Sequence, residues 1–272
     1  MSDGRRPASF YLLAAFFGLF VLFLYGPLSA VLILSFQGPN GGLTFPLNGV
    51  SLHWFANLVE QQAVGDFGGS FRRSLALGLA VMAVTVVVSL CAGLAFRRRF
   101  IGETALFYLT VASLVVPSII LSLGIGVMFN EAGVEPSWSS SAFGAHLTWT
   151  LPFGVLIMMA VFNRFSPSYE EAARDLGANP WQAFAHVVLP MILPSLIGIG
   201  LFGFTLSYDE FARSLMTAGT YNTLPLEIYG MTTNVTTPVL YALGTVTTVF
   251  SLLVIGATLA VIFVLERRRA QM

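Results

Sequence analysis

The sequence contains no lysine and a single cysteine, Cys91. The first absence removes the Walker A lysine, so the chain cannot itself hold nucleotide phosphates as a P-loop ATPase does. The second excludes an intrachain disulfide and any zinc site built on cysteines. Cys91 lies inside an apolar run and reads as a small residue facing lipid or a neighbouring helix. Charge of either sign is also scarce. Of 272 residues, 10% are charged and 56% hydrophobic, with a mean hydropathy of +0.80. A soluble domain carries about 25% charged residues, so this chain cannot cover a water-facing surface and lipid must be its main solvent. Thirteen arginines offset thirteen acids, and nothing in that balance points to nucleic acid.

What the chain has is uncharged length. Charge-free windows run over residues 7–59, 74–96, 104–130, 136–163, 176–208 and 228–265. Each exceeds the ~20 residues needed to cross a ~30 Å hydrocarbon core at 1.5 Å per residue. Helices are expected near 10–35, 75–96, 105–129, 142–162, 191–212 and 241–264. The fold expected is an all-α membrane protein with six transmembrane helices, forming one transmembrane domain over residues 1–272. The apolar stretch after Arg5 and Arg6 is about twice a signal-peptide core and lacks a clear cleavage pattern, so it reads as a retained first helix. Ser51–Val59 reads as a short amphipathic surface helix.

Arginine sets the expected orientation. With the N-terminus inside, Arg5, Arg6, Arg97, Arg98, Arg99, Arg164, Arg174, Arg267, Arg268 and Arg269 are cytoplasmic, against Arg72, Arg73 and Arg213 outside. This positive-inside bias makes both termini cytoplasmic.

The connection 163–190, between the fourth and fifth expected spans, has structure of its own. Ser166 can cap a helix that has Pro167 at its first position. Glu170 and Glu171 favour the positive end of its dipole, and Gly177 suits its stop. A helix is therefore expected over 166–176. Asn179, Pro180 and Gln182 then give the spacing of a capping box for a second helix.

These residues carry a resemblance. Glu171-Ala172-Ala173, Gly177 after three residues, Val187 after nine more, then Leu189-Pro190, is similar to the EAA signature of bacterial ABC import permeases, although the family usually has Ile at the position of Val187. The resemblance implies a type I ABC importer permease fold in a bacterial inner membrane. It implies that 166–176 is a coupling helix docking into an ATPase subunit, with Glu171, Ala172, Ala173 and Gly177 as its functional residues. Implied partners are an ABC ATPase subunit dimer, a second homologous permease and an external substrate-binding protein. ATP and Mg would be bound by the ATPase, with no cofactor, metal or catalytic residue in this chain. Ser207-Tyr208-Asp209-Glu210-Phe211, Thr223-Leu-Pro-Leu226 and Ile228-Tyr-Gly-Met231 further resemble the second permease of spermidine/putrescine-type importers. Importers of iron, thiamine or phosphonates share much of that pattern.

Tyr208, Asp209 and Glu210 are the expected substrate-path residues: acids near membrane depth are costly and suit a cationic solute, and a tyrosine can face an amine. Successive helical residues point about 100° apart, so one acid should face the path. The bland competitor is an i,i+4 pair of Asp209 with Arg213. Glu60, Asp66, Glu131, Glu135 and Glu227 read as solvated loop acids. Gly198-x-Gly200-x-x-Gly203 spells a dinucleotide fingerprint but sits in an apolar span, where helix packing explains it. Asn234-Val-Thr236 is a glycosylation sequon by letter alone. His53, His146 and His186 lack metal or catalytic spacing. The alternatives are a self-contained carrier or channel, which would need an ion-coupling site these spans do not offer, and an intramembrane enzyme, for which no catalytic constellation stands out.

Overall fold

The structure, a computed structural model, describes residues 7–60, 65–234 and 237–270. Arg5 and Arg6, and the Val235-Thr236 part of the sequon, lie outside the described residues. Eleven α-helices follow in order among the described residues: α1 (Ala8–Leu34), α2 (His53–Glu60), α3 (Phe67–Phe96), α4 (Glu103–Val115), α5 (Ser118–Glu131), α6 (Ser141–Arg164), α7 (Ser168–Asp175), α8 (Pro180–Ala183), α9 (Leu189–Tyr208), α10 (Leu224–Asn234) and α11 (Val239–Ala270). A π-helical turn, Phe184–Val188, joins α8 to α9. Five stretches are long and apolar enough to cross a membrane: Ala8–Leu34, Phe67–Phe96, Ser141–Arg164, Pro180–Tyr208 and Val239–Val264. The pair α4–α5, bent by 105°, makes a sixth if it is one span.

The bend corrects the expectation of one helix over 105–129. Pro117 has no N–H to continue the helical ladder and crowds the residue before it out of the α region. Val116 is accordingly extended, at φ −68° and ψ 125°. The fifth span is corrected at both ends. It starts at Pro180 instead of near 191, because α8, the π turn and α9 run on without a break, and α9 ends at Tyr208 instead of 212. α10 falls where only connecting sequence was expected.

The chain forms two compact units. One comprises residues 1–65 with 230–250. Its α1 is apolar all round, and Leu12, Phe16, Leu19 and Phe23 are exposed, as suits a lipid-facing helix. Buried Gln37 organises the turn that follows: its Nε2 donates to the carbonyls of Gly42 (3.2 Å) and Thr44 (3.4 Å), and its Oε1 accepts from the N–H of Asn48 (2.6 Å). Tyr241 closes this loop by donating to the carbonyl of Leu43 at 2.7 Å.

The other unit comprises residues 66–229 with 251–272. Its centre is α3, α6 and α9 packed together. Met158, Phe162, Val188, Ile192, Leu196 and Ile199 form one buried cluster, and Leu77, Val81 and Ala142 another. Lipid supplies no hydrophobic drive between helices, so close approach and buried hydrogen bonds hold them. A side chain at Gly200 would put its Cβ 3.3 Å from Val86, and one at Gly203 would lie 3.5 Å from Thr85. Gly200 and Gly203 thus have the packing use expected of the glycine motif, whereas a side chain at Gly198 would meet nothing within 4 Å. Thr85 and Thr150 share a buried hydroxyl–hydroxyl bond of 2.8 Å between α3 and α6.

Asp66 caps α3. Its Oδ1 accepts from the N–H of Gly69 at 2.9 Å, and its Oδ2 pairs with Arg73 at 3.1 Å. The backbone hydrogen bond from Gly69, helped by Arg73, holds the carboxyl below the usual aspartate range. A depressed folded-state pKa stabilises above the unfolded value and stops doing so as pH falls through the lowered one. Asp66→Asn should therefore melt below wild type at neutral pH in detergent thermal scans, and the gap should close as the pH falls below the aspartate range.

Candidate functional site

The α6–α9 connection is built as a projecting helix on a glycine turn. The expected Ser166 cap is corrected: Pro167, in α conformation, is the N-cap and α7 starts at Ser168, with Ser166 Oγ only accepting from the Ser168 N–H at 3.4 Å just outside it. Glu170 and Glu171 occupy the first turn and Arg174 the last, the arrangement that suits the dipole. The helix closes in a Schellman motif: Gly177 N–H to the Arg174 carbonyl at 2.8 Å, and Ala178 N–H to the Ala173 carbonyl at 3.0 Å. Gly177 adopts φ +87°, which only glycine takes without strain. The Asn179 capping box then forms in full, with Gln182 N–H to Asn179 Oδ1 and Asn179 N–H to Gln182 Oε1, both at 2.9 Å.

The two acids of α7 do different things. Glu170 turns inward, with Oε1 2.6 Å from Arg97 Nη1 at the end of α3 and Oε2 3.8 Å from Arg174. The Arg97 guanidinium lies over the rings of Phe162 at 5.1 Å and Phe165 at 5.5 Å. Glu171 and Ala172 are exposed and Ala173 half-buried. The Glu171 carboxylate makes no ion pair or hydrogen bond among the described residues. The same connection exposes two large apolar side chains, Leu176 at 90% and Trp181 at 72%. A surface of small, acidic and exposed apolar residues around a rigid turn has the make-up of a docking face.

The second site follows α9. Arg213 is 1% exposed. It lies 3.7 Å from Glu210 Oε2, donates to Ser118 Oγ at 2.7 Å and to Thr148 Oγ1 at 3.4 Å, and stacks on Trp149 at 4.5 Å. Glu210 also accepts from the Arg213 N–H at 2.9 Å. The bland competitor is thus corrected: the partner of Arg213 is Glu210, three residues away, because Asp209 already lies beyond the last helical turn. Asp209 is exposed, and its carboxylate makes no ion pair or hydrogen bond among the described residues. Tyr208 is 2% exposed, stacked on Phe204 at 5.6 Å and edge-on to Phe71 at 6.3 Å.

Residues 85–270 match the family model for the inner membrane component of binding-protein-dependent transport systems. The chain belongs to this family. It is therefore an ABC importer permease, an inner membrane protein whose family works with a substrate-binding protein and an ATPase. It is 28% identical to the spermidine/putrescine transport system permease protein PotC of Escherichia coli (strain K12), over 87% of this chain and 88% of that one. Identity to the Haemophilus influenzae PotC is 29%, covering 89% and 93%. The putrescine transport system permease protein PotI of E. coli (strain K12) is 28% identical over 82% and 80%. Among solved structures, a bacterial ABC transporter importing the acidic polysaccharide alginate superposes with TM-score 0.65 at 16% identity, covering 98% of this chain and 99% of that one. The MetNI methionine ABC transporter superposes with TM-score 0.56 at 20% identity, covering 73% and 95%. These likenesses establish the fold.

Two residues of the permease escaped sequence reading. Arg97 was legible only as one of three cytoplasmic-side arginines, since its pairing with Glu170 spans 73 positions of chain. His146, which no spacing singled out, is buried and bridges Ser207 Oγ (Nδ1, 2.8 Å) and Ser214 Oγ (Nε2, 2.9 Å). Ser214 donates to the Glu210 carbonyl at 2.9 Å, so Nε2 carries the proton and Nδ1 accepts from Ser207. The histidine thereby ties α6 to α9 and to the segment bearing Arg213.

Proposed function

We propose that this permease forms one half of the translocation path for a small cationic solute of the polyamine class, with α7 as the element that engages the ATPase. The observation that carries the substrate class is the contrast between the two acids: Glu210 is held by Arg213, whereas Asp209 presents an uncompensated carboxylate beside the end of a span. An exposed acid at that depth suits an ammonium group that must be bound and then released. The names of the PotC and PotI relatives support the same class. Tyr208 then acts from the buried side, its ring fixing the end of α9 from which Asp209 projects.

In this reading both termini are cytoplasmic, an external binding protein delivers the solute, a second homologous permease completes the path, and ATP and Mg are handled by an ATPase dimer. Glu171, Ala172, Ala173 and Gly177 form the docking surface. ATP-driven closure of the ATPase pulls α7, and the α3–α6–α9 bundle follows. This chain contributes no catalysis; it converts a movement at one face into access at the other.

The test is ATPase activity of the assembled complex in nanodiscs with its binding protein. Putrescine or spermidine should stimulate hydrolysis, and Asp209→Asn should cut that stimulation about tenfold, the value of roughly 1.4 kcal/mol. Stimulation by an anionic solute, or an unchanged response in Asp209→Asn, would remove the polyamine assignment while leaving the importer in place.

A further inference from the structure

α7 is attached to its unit along the chain and through side chains. Along the chain it joins α6 through residues 165–167 and α9 through Gly177 and α8. Its larger packing contacts are with α8 and the π turn. Its side chains add the Tyr169–Phe165 ring contact at 5.8 Å and the ion pair from Glu170 to Arg97 at 2.6 Å. Arg97 is the C-cap of α3, and α3 packs along both α6 and α9. A side chain added at Gly177 would meet no atom within 4 Å, so the turn is held by its own Schellman hydrogen bonds. A cavity of about 380 Å³, lined by Arg97, Phe162, Phe165 and Pro167 among others, opens beside the ion pair.

The side chains of the pair are 23% and 17% exposed, and the Arg97 guanidinium lies over the faces of Phe162 and Phe165, which belong to the end of α6 and its C-cap. A guanidinium held on aromatic faces loses less freedom on pairing than a lysine would. The neighbouring Arg98 and Arg99 make no ion pair among the described residues. The three arginines of this run are therefore not equivalent, although a count of topological charge treats them alike.

We propose that Arg97 is the positioning residue that makes α7 and α3 move as one body, so that displacement of α7 reaches α3 directly and not only through α6 and α9, its neighbours along the chain. This rests on the reading that α7 docks to the ATPase. Glu170 and Glu171 then divide the work: Glu171 faces the partner, and Glu170 anchors the helix to its own bundle.

The lone cysteine supplies the probe. Cys91 is exposed on α3, six residues and about 9 Å along the helix from Arg97. The complex purified through a tag on this chain is spin-labelled at Cys91, and the spectrum is recorded with and without a non-hydrolysable ATP analogue. In wild type the nucleotide shifts the spectrum. In Arg97→Ala and in Glu170→Gln, the amount of co-purified ATPase stays at wild-type level while the nucleotide-dependent shift falls at least about fivefold, the lower end of ordinary site-to-site coupling. Arg97→Lys, which keeps the charge without the stacked plane, recovers part of it. Glu170→Gln is isosteric on a surface helix and guards against loss of folding in Arg97→Ala. A wild-type shift in either neutral variant overturns the proposal, as does a wild-type complex that holds ATPase and gives no shift. Absence of ATPase from the wild-type complex instead overturns the docking reading on which the proposal stands.

Discussion

Glu171→Lys should strip the ATPase from the purified complex, whereas Glu170→Gln should not. The Glu171 carboxylate makes no ion pair or hydrogen bond among the described residues and stands in the first turn of α7, and the same connection exposes Leu176 and Trp181. An exposed carboxylate in such a patch becomes a desolvated charge when a partner closes over it. Removing or reversing a buried interfacial charge costs about 2 kcal/mol or more, roughly thirtyfold in affinity. Reversal at position 171 leaves α7 intact, because neither the Schellman closure at Gly177 nor the Glu170–Arg97 pair uses it. The check is the ratio of ATPase to permease after tag purification, with size-exclusion profiles showing that the variant permease is folded. An unchanged ratio would mean that this face of α7 is not the contact.

The second large effect is on folding. Arg213→Ala removes a guanidinium that is wholly buried and serves Glu210, Ser118, Thr148 and Trp149. Breaking a buried pair from one side costs about 3–5 kcal/mol, because the remaining charge is left without compensation. Ser118 opens α5 just after the break at Pro117, and Ser122 donates to the Arg213 carbonyl at 2.9 Å. The arginine thus pins the bent helix to the segment after α9. Its Nη2 has no hydrogen-bond partner among the described residues, so the site is not at its optimum as a salt bridge. Arg213→Ala should sharply reduce the yield of monodisperse permease. The double variant Arg213→Met/Glu210→Gln, which buries no charge, should recover much of it. Equal yields for Arg213→Ala and wild type would contradict the structural role.

Five of the six expected spans were legible in the sequence because charge-free windows measure what lipid requires, and that requirement acts on composition alone; the remaining window folds as the bent pair α4–α5. The helix–turn–helix of residues 163–190 was legible because caps and glycine turns are local: Asn179, Gln182 and Gly177 each act on residues within a turn of themselves. Three features were not. The 105° bend at Pro117 depends on what fills the space beside it, and a proline in a span reads equally well as a mild kink. The start of the fifth span at Pro180 was hidden because a π turn carries no distinct residue pattern. The division between Glu170 and Glu171 was invisible because it is decided by Arg97, distant in sequence. For Asp209 and Glu210, helix geometry called for the acids to diverge, and the helix end at Tyr208 set which of them meets Arg213.

The most direct test of the account is cross-linking from α7. In a Cys91→Ser background, cysteine is introduced by Ala172→Cys on α7 or, as a control, by Glu135→Cys in the connection between α5 and α6. Each complex is treated in membranes with a short bifunctional thiol-to-amine reagent and the adducts are identified by mass. The account predicts that Ala172→Cys joins the permease to its ATPase in high yield, while Glu135→Cys gives no such adduct. An ATPase adduct from Glu135→Cys, with none from Ala172→Cys, would place the ATPase at the opposite end of the bundle and contradict both the orientation and the role given to α7.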